Sequence, residues 1–235
     1  MVLIFIIGLT LGSFASVLIT RLPQNNITLW QRSHCCQCTH ILEWFELIPI
    51  VSWCIQKGRC RYCNHFIPLF YPFLEGTVAL WFIACFNFSL SYQEIFLITI
   101  LGYFFILAIV IDFREKIIPN WANMGITIII LLLQTPEHKN VFLILISPFI
   151  TLLICLSLKS AFKKINNIQA LGDGDIKLMC ALSLGLEMQQ LSLWFILSGG
   201  LGLFTGIIWT KIKQEKKFPF GPALIVGFII TYVSS

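Results

Sequence analysis

Charge is what this sequence has least of. Only 11% of its 235 residues are Asp, Glu, Lys or Arg, and 57% are hydrophobic, whereas a soluble domain carries about 25% charged residues. With a mean hydropathy of +0.86, that scarcity excludes an ordinary soluble domain. The net charge of +5 does not suggest nucleic acid as a partner. No internal repeat and no low-complexity segment is visible, which speaks against the repeated architecture of many transporters. A glycine-rich dinucleotide fingerprint is missing too, so no donor or nucleotide pocket can be placed from sequence. The apolar stretch 1–19 has no basic residue ahead of it, Arg21 follows instead, and no small-residue cleavage pattern comes after. It is expected to be a retained first span and not a signal peptide.

What the chain has is a series of apolar runs. They predict spans near 1–19, 71–90, 93–111, 118–134, 141–158, 176–187, 190–210 and 219–234, the sixth being short. The expected fold class is an all-α polytopic membrane protein with about eight transmembrane helices in the lipid bilayer. The connections Asn87–Gln93, Gln134–Asn140 and Glu187–Gln190 are brief, and the longest polar segment runs from Thr20 to Phe70. Of the 16 Lys and Arg residues, only Lys139 falls on one side of this layout. The positive-inside rule then places the odd-numbered loops in the cytoplasm and both termini outside. Three parts are expected: residues 1–19 as the first helix, 20–70 as a cytoplasmic loop, and 71–235 as a membrane-embedded domain.

The loop holds Cys35-Cys36-Gln37-Cys38 and Cys60-Arg61-Tyr62-Cys63, two CxxC pairs separated by 21 residues. Cys35, Cys38, Cys60 and Cys63 in two knuckles suit a tetrahedral structural zinc, which stabilises a loop with little core of its own. In a reducing cytoplasm disulfides are disfavoured. The other reading is a set of free or redox-active thiols. Cys36 is a bystander, and Cys54, Cys85, Cys155 and Cys180 sit in apolar settings as packing residues. His34, His40 and His65 flank the knuckles as solvated loop residues or substitute ligands. Between the pairs, Leu42–Pro49 looks like a short amphipathic piece able to lie on a membrane surface.

The carboxylates are the remaining chemistry. Asp112 directly follows Ala108-Ile109-Val110-Ile111, and Asp175 lies in Gly172-Asp173-Gly174-Asp175, ahead of Ile176-Lys177-Leu178. Ionised groups at a bilayer edge are costly and tend to mark function, and glycines allow unusual turns and close approach. By the layout above both acids face the same side. Two adjoining carboxylates share a proton, so one can activate water while the other acts as acid. The competing reading of Asp112 is an ordinary charged loop with Arg114, Glu115 and Lys116, and Asp173 competes with Asp175. Glu75 is either a snorkelling surface acid or an inward polar anchor. Lys177 is expected to orient the local backbone or meet a phosphate headgroup.

Taken together these residues resemble the type IV prepilin peptidases, which are bifunctional leader peptidases and N-methyltransferases. The likeness runs through five ordered segments: Gly8–Pro23 (GLTLGSFASVLITRLP), the paired CxxC loop with Leu42, Trp44, Leu47-Ile48-Pro49 and Gly58-Arg59-Cys60-Arg61, Asp112–Asn120 with its IIPN ending, Gly172–Leu178, and Phe218-Pro219-Phe220-Gly221-Pro222. The resemblance implies an aspartyl dyad of Asp112 and Asp175, with Asp173 at the variable position of the GxGD motif. It also implies type IV prepilin or pseudopilin precursors as substrates. A basic leader is removed after a glycine on the cytoplasmic side, and the new N-terminal residue is methylated from S-adenosylmethionine. Residues 20–70 then become a possible methyltransferase part, and the expected location is the bacterial cytoplasmic membrane. Two departures stand out: Cys36 where the family often has proline, and Ser16 where asparagine is expected. If the early segment serves methyl transfer, Ser16 bears on that activity and not on proteolysis, so a peptidase without methylation is an alternative. From other classes, a proton-coupled transporter would need polar mid-span residues. A membrane-tethered zinc-binding adaptor would leave Asp112 and Asp175 without a role.

Overall fold

The computed structural model describes residues 1–21, 31–87, 90–134, 141–166, 171–215 and 217–234, with the side chains of 141–143 and 165–166 excepted. Leu22 and Pro23 of the first motif, Lys139, Lys216 and parts of two expected connections fall outside them. The described chain is all-α. Its elements are α1 (Val2–Arg21), α2 (Val51–Ile55), α3 (Phe70–Cys85), α4 (Tyr92–Glu115), α5 (Asn120–Gln134), α6 (Val141–Asn166), α7 (Asp173–Ser183), α8 (Met188–Lys213) and α9 (Gly221–Val233). Among the described residues, the only extended pairing is two isolated bridges, His34 with Ile41 and Arg59 with Phe66.

Every apolar run expected to span coincides with a helix, but the lengths divide them. Four helices, α1, α4, α6 and α8, are long and apolar enough to cross a membrane, and α3, α5 and α9 are shorter. Helix α7 has 11 residues, a reach of about 16 Å at 1.5 Å per residue, against a hydrocarbon core of about 30 Å. The long helices carry exposed apolar side chains such as Leu3, Phe149, Leu153, Ile196 and Phe204, as a lipid environment requires. The Pro148 ring sits inside α6, where membrane helices tolerate it. The stretch expected to be amphipathic is instead one 3-10 turn, Trp44–Leu47, ended by Pro49 and too short to present a continuous apolar face.

The chain divides into two compact units, Met1–Thr99 and Ile100–Ser235. Helix α3 therefore groups with α1 in the first unit. In the first unit α1 and α3 meet backbone to backbone. A Cβ added to Gly8 would stand 2.6 Å from the Ala79 Cα, and one on Gly12 would stand 2.6 Å from the Glu75 Cα. This is the small-residue packing by which helices associate in lipid, where hydrophobic drive is absent. Ala15, Ser16 and Ile19 continue the same buried stripe.

The second unit buries Leu107 and Ile111 of α4, Ile126 and Ile130 of α5, Leu178 and Leu182 of α7, and Leu224 and Ile225 of α9. Trp194 of α8 is fully buried and its indole N–H donates to the Leu224 carbonyl at 3.2 Å. These contacts hold the ends of α4, α7 and α9 in place.

Candidate active site and metal centre

Asp112 lies one turn from the C-terminus of α4 and is 3% exposed. Its Oδ2 accepts a hydrogen bond of 2.8 Å from the Gly221 N–H. Gly221 opens α9, with Pro222 behind it. The first N–H groups of a helix have no partner within it, and their positive end favours a carboxylate. A side chain at position 221 would collide with that carboxylate, since its Cβ would lie 2.9 Å from Asp112 Oδ2.

Asp175 occupies the first turn of α7, with Gly172 as N-cap in an extended conformation. The carboxylate folds back over Gly172, whose absent Cβ would stand 2.9 Å from Asp175 Oδ2. Gly174 presses against the Ile118 backbone, 3.3 Å from its carbonyl oxygen by the same measure, and the Ile118 Cδ1 lies 3.1 Å from the Cβ position of Gly221. Ile118 thus touches both glycines. Two further bonds tie α7 to α5: Asn123 Nδ2 donates to the Gly174 carbonyl at 3.4 Å, and Lys177 Nζ donates to Asn120 Oδ1 at 2.7 Å. Through Ile118, the glycine bonded to Asp112 and the glycine beside Asp175 share one neighbour.

The neighbouring acid goes elsewhere. Asp173 is exposed and pairs with Lys159 of α6, whose ammonium holds its carboxyl below the usual range. Lys177 reaches a side chain, Asn120 Oδ1. Glu75 belongs to the first unit. It is buried, and its Oε2 accepts the Ile50 N–H at 2.7 Å, which makes it an inward anchor. Sequence reasoning assigned no contact to Gly221, Ile118, Asn120 or Asn123. A glycine directly before a proline at a helix start was the one available signal.

In the loop the Sγ atoms of Cys35, Cys38, Cys60 and Cys63 all lie within 4.8 Å of one another. Cys35 and Cys63 are 3.7 Å apart and Cys38 and Cys60 4.0 Å. A tetrahedral zinc with Zn–S bonds near 2.3 Å needs sulfurs about 3.8 Å apart, so the four thiols fit it. The separations are far beyond a disulfide bond. The knuckles share one local pattern. Cys35 N–H donates to the His40 carbonyl and Thr39 N–H to the Cys35 carbonyl; Cys60 N–H donates to the His65 carbonyl and Asn64 N–H to the Cys60 carbonyl. Thr39 and Asn64 both take positive φ, 57° and 56°. His40 and His65 thus accept these bonds through their backbone carbonyls, and among the described residues the metal-ligating cluster holds cysteines alone. Cys36 and Cys54 are exposed, and Cys85 and Cys155 are buried.

Comparison with known proteins follows this division. A family described as Bacterial Peptidase A24 N-terminal domain matches residues 6–88, and the Type IV leader peptidase family matches 95–207. The prepilin leader peptidase/N-methyltransferase of Bacillus subtilis is 30% identical over 240 residues, which is 98% of this chain and 93% of that protein. The chain belongs to the type IV leader peptidase family. Another member, the prepilin leader peptidase/N-methyltransferase of Vibrio cholerae, is 27% identical over 249 residues and covers the whole of this chain and 96% of its own. The Myxococcus xanthus member is 42% identical over 84 residues, 36% of this chain and 25% of that protein. No solved structure matches. The leader peptidase match ends before α9, whereas the Vibrio cholerae match covers the whole chain and so includes Gly221.

Proposed function

We propose that this chain is a membrane aspartyl endopeptidase. It cleaves the basic leader of type IV prepilin or pseudopilin precursors after glycine, on the cytoplasmic face of a bacterial cytoplasmic membrane, and then methylates the new N-terminal residue. The observation that carries the reading is the shared contact at Ile118, which touches both Gly221, whose N–H holds Asp112, and Gly174, next to Asp175. The proposed layout keeps eight spans with the tetracysteine loop in the cytosol, in keeping with the placement of basic residues.

In the proposed reaction the two carboxylates share one proton. The ionised one takes a proton from water as its oxygen adds to the scissile carbonyl, and the protonated one donates to the carbonyl oxygen. The C–N bond then breaks, the leaving amine takes the proton held by the first carboxylate, and the second carboxylate recovers its own from the collapsing diol. Asp112 keeps its position through the Gly221 N–H. Gly172 and Gly174 leave room for an extended substrate backbone beside the pair. Cys35, Cys38, Cys60 and Cys63 would hold zinc, which cross-links the loop and takes no part in hydrolysis. S-adenosylmethionine supplies an electrophilic methyl group when bound.

The test is cleavage of a prepilin in membranes containing the unaltered chain, Asp112→Asn, Asp175→Asn or Asp173→Asn. Loss in the first two with retention in the third supports the dyad. Cleavage that survives both dyad substitutions overturns it. Ser16, buried in α1 at a position where the resemblance leads us to expect asparagine, favours a second reading in which peptidase activity stands without methylation. Methyl incorporation scored on the same cleaved product separates the two.

A further inference from the structure

The first unit holds a cavity of about 640 Å³ bounded by α1, α2, α3 and the tetracysteine loop. Its size lies within the roughly 300–1,000 Å³ of small-molecule sites. Two carboxylates, Glu46 and Glu75, line it, each 7% exposed as residues. Each receives a backbone N–H, Glu46 from Glu43 at 3.0 Å and Glu75 from Ile50 at 2.7 Å. Among the described residues neither is paired with a cation. Buried carboxylates that keep their charge require a positive partner, and both of these line the cavity. Arg21 and Trp53 line the same space, adding a cation and an aromatic wall.

Ile50, whose N–H Glu75 binds, has φ 58°. A β-branched residue rarely takes that conformation, and such strain collects at ligand sites. Glu75 is also the residue whose backbone Gly12 touches. One residue therefore joins the α1–α3 contact, through its backbone, to the strained loop, through its carboxylate, and it lines the cavity.

We propose that this cavity is the site of the methyl donor and that Glu75 is the anion facing the donor's positive charge. The inference rests on the methyltransferase reading above. S-adenosylmethionine carries two cations, a sulfonium and an ammonium, with one carboxylate and a flat adenine. The cavity offers two carboxylates, one guanidinium and an indole face, which answer those groups in number and sign. An aromatic face also attracts a cation in its own right.

The test is equilibrium dialysis of labelled S-adenosylmethionine against the full chain in detergent, for the unaltered protein, Glu75→Gln and Glu75→Asp. Glutamine keeps an acceptor for the Ile50 N–H and removes only the charge. Binding about tenfold weaker in Glu75→Gln and partly recovered in Glu75→Asp supports the proposal; unchanged binding overturns it. Ultraviolet cross-linking of the labelled donor to the unaltered chain locates the site without any substitution. Label within residues 13–75 supports the assignment, and label confined to 100–235 overturns it, even should Glu75→Gln fail to fold. Absence of methyl transfer by the unaltered chain to a cleaved pilin overturns the methyltransferase reading itself. Methyl transfer with the label elsewhere overturns the site alone.

Discussion

The amide of Gly221 lies 2.8 Å from Asp112 Oδ2, and these two residues, 109 positions apart, meet because α9 begins where α4 ends. Replacing Gly221 by alanine keeps the amide but puts a Cβ 2.9 Å from the carboxylate oxygen and 3.1 Å from Ile118 Cδ1. Both cannot be accommodated without moving Asp112. We expect cleavage to fall about 10²-fold, the scale of an ångström-level misplacement, with the protein still inserted. Initial rates of prepilin cleavage in membranes, normalised to protein amount, check this. A rate within a factor of about two of the unaltered chain contradicts it.

Lys177 and Asn120 tie α7 to the start of α5 at 2.7 Å, on the same turn that holds Asp175. Lys177→Ala and Asn120→Ala should each lower kcat/KM, and the double variant should be no worse than the poorer single one. A double-mutant cycle on cleavage reads this directly, with a coupling of about 0.5–3 kcal/mol expected for groups in contact. Additive losses would show that the bond does not support the site.

The tetracysteine loop should depend on metal. Cys60 is buried, so Cys60→Ser removes a thiolate from the heart of the cluster. Zinc content should drop to background and the loop should become sensitive to protease, since binding free energies of structural zinc run to about 10–16 kcal/mol. Acidification should release the metal as the thiolates protonate. Metal analysis with limited proteolysis tests both, and a Cys36→Ser variant, whose exposed thiol lies outside the cluster, should keep its zinc.

The contact of α1 with α3 leaves no room at Gly12, where an added Cβ stands 2.6 Å from backbone. Gly12→Val should force the helices apart and lower stability by about 1–3 kcal/mol or more. Thermal melting in detergent should show the loss, and Gly199→Ala, where an added Cβ meets nothing within 4 Å, should melt close to the unaltered chain.

Much of the fold was legible in the sequence because apolar runs in a chain this poor in charge have one stable outcome, a hydrogen-bonded helix. Every expected run contains a helix, and the two CxxC pairs bring their four sulfurs together as their spacing suggested. Lengths were less legible, since hydropathy continues through turns. The sixth run becomes the 11 residues of α7, and the stretch before Pro49 closes into one 3-10 turn.

Composition and periodicity alone therefore determined the helical class, the membrane character and the metal-ligand spacing, all of which depend on near neighbours along the chain. The tertiary structure decided the rest. It turned Asp173 out to Lys159 and folded Asp175 back over Gly172, a choice made by packing at the start of α7. It gave Asp112 the Gly221 amide and Glu75 the strained Ile50. Those contacts join residues remote in sequence, and their geometry follows from how closely glycines let helices approach, which no local pattern encodes.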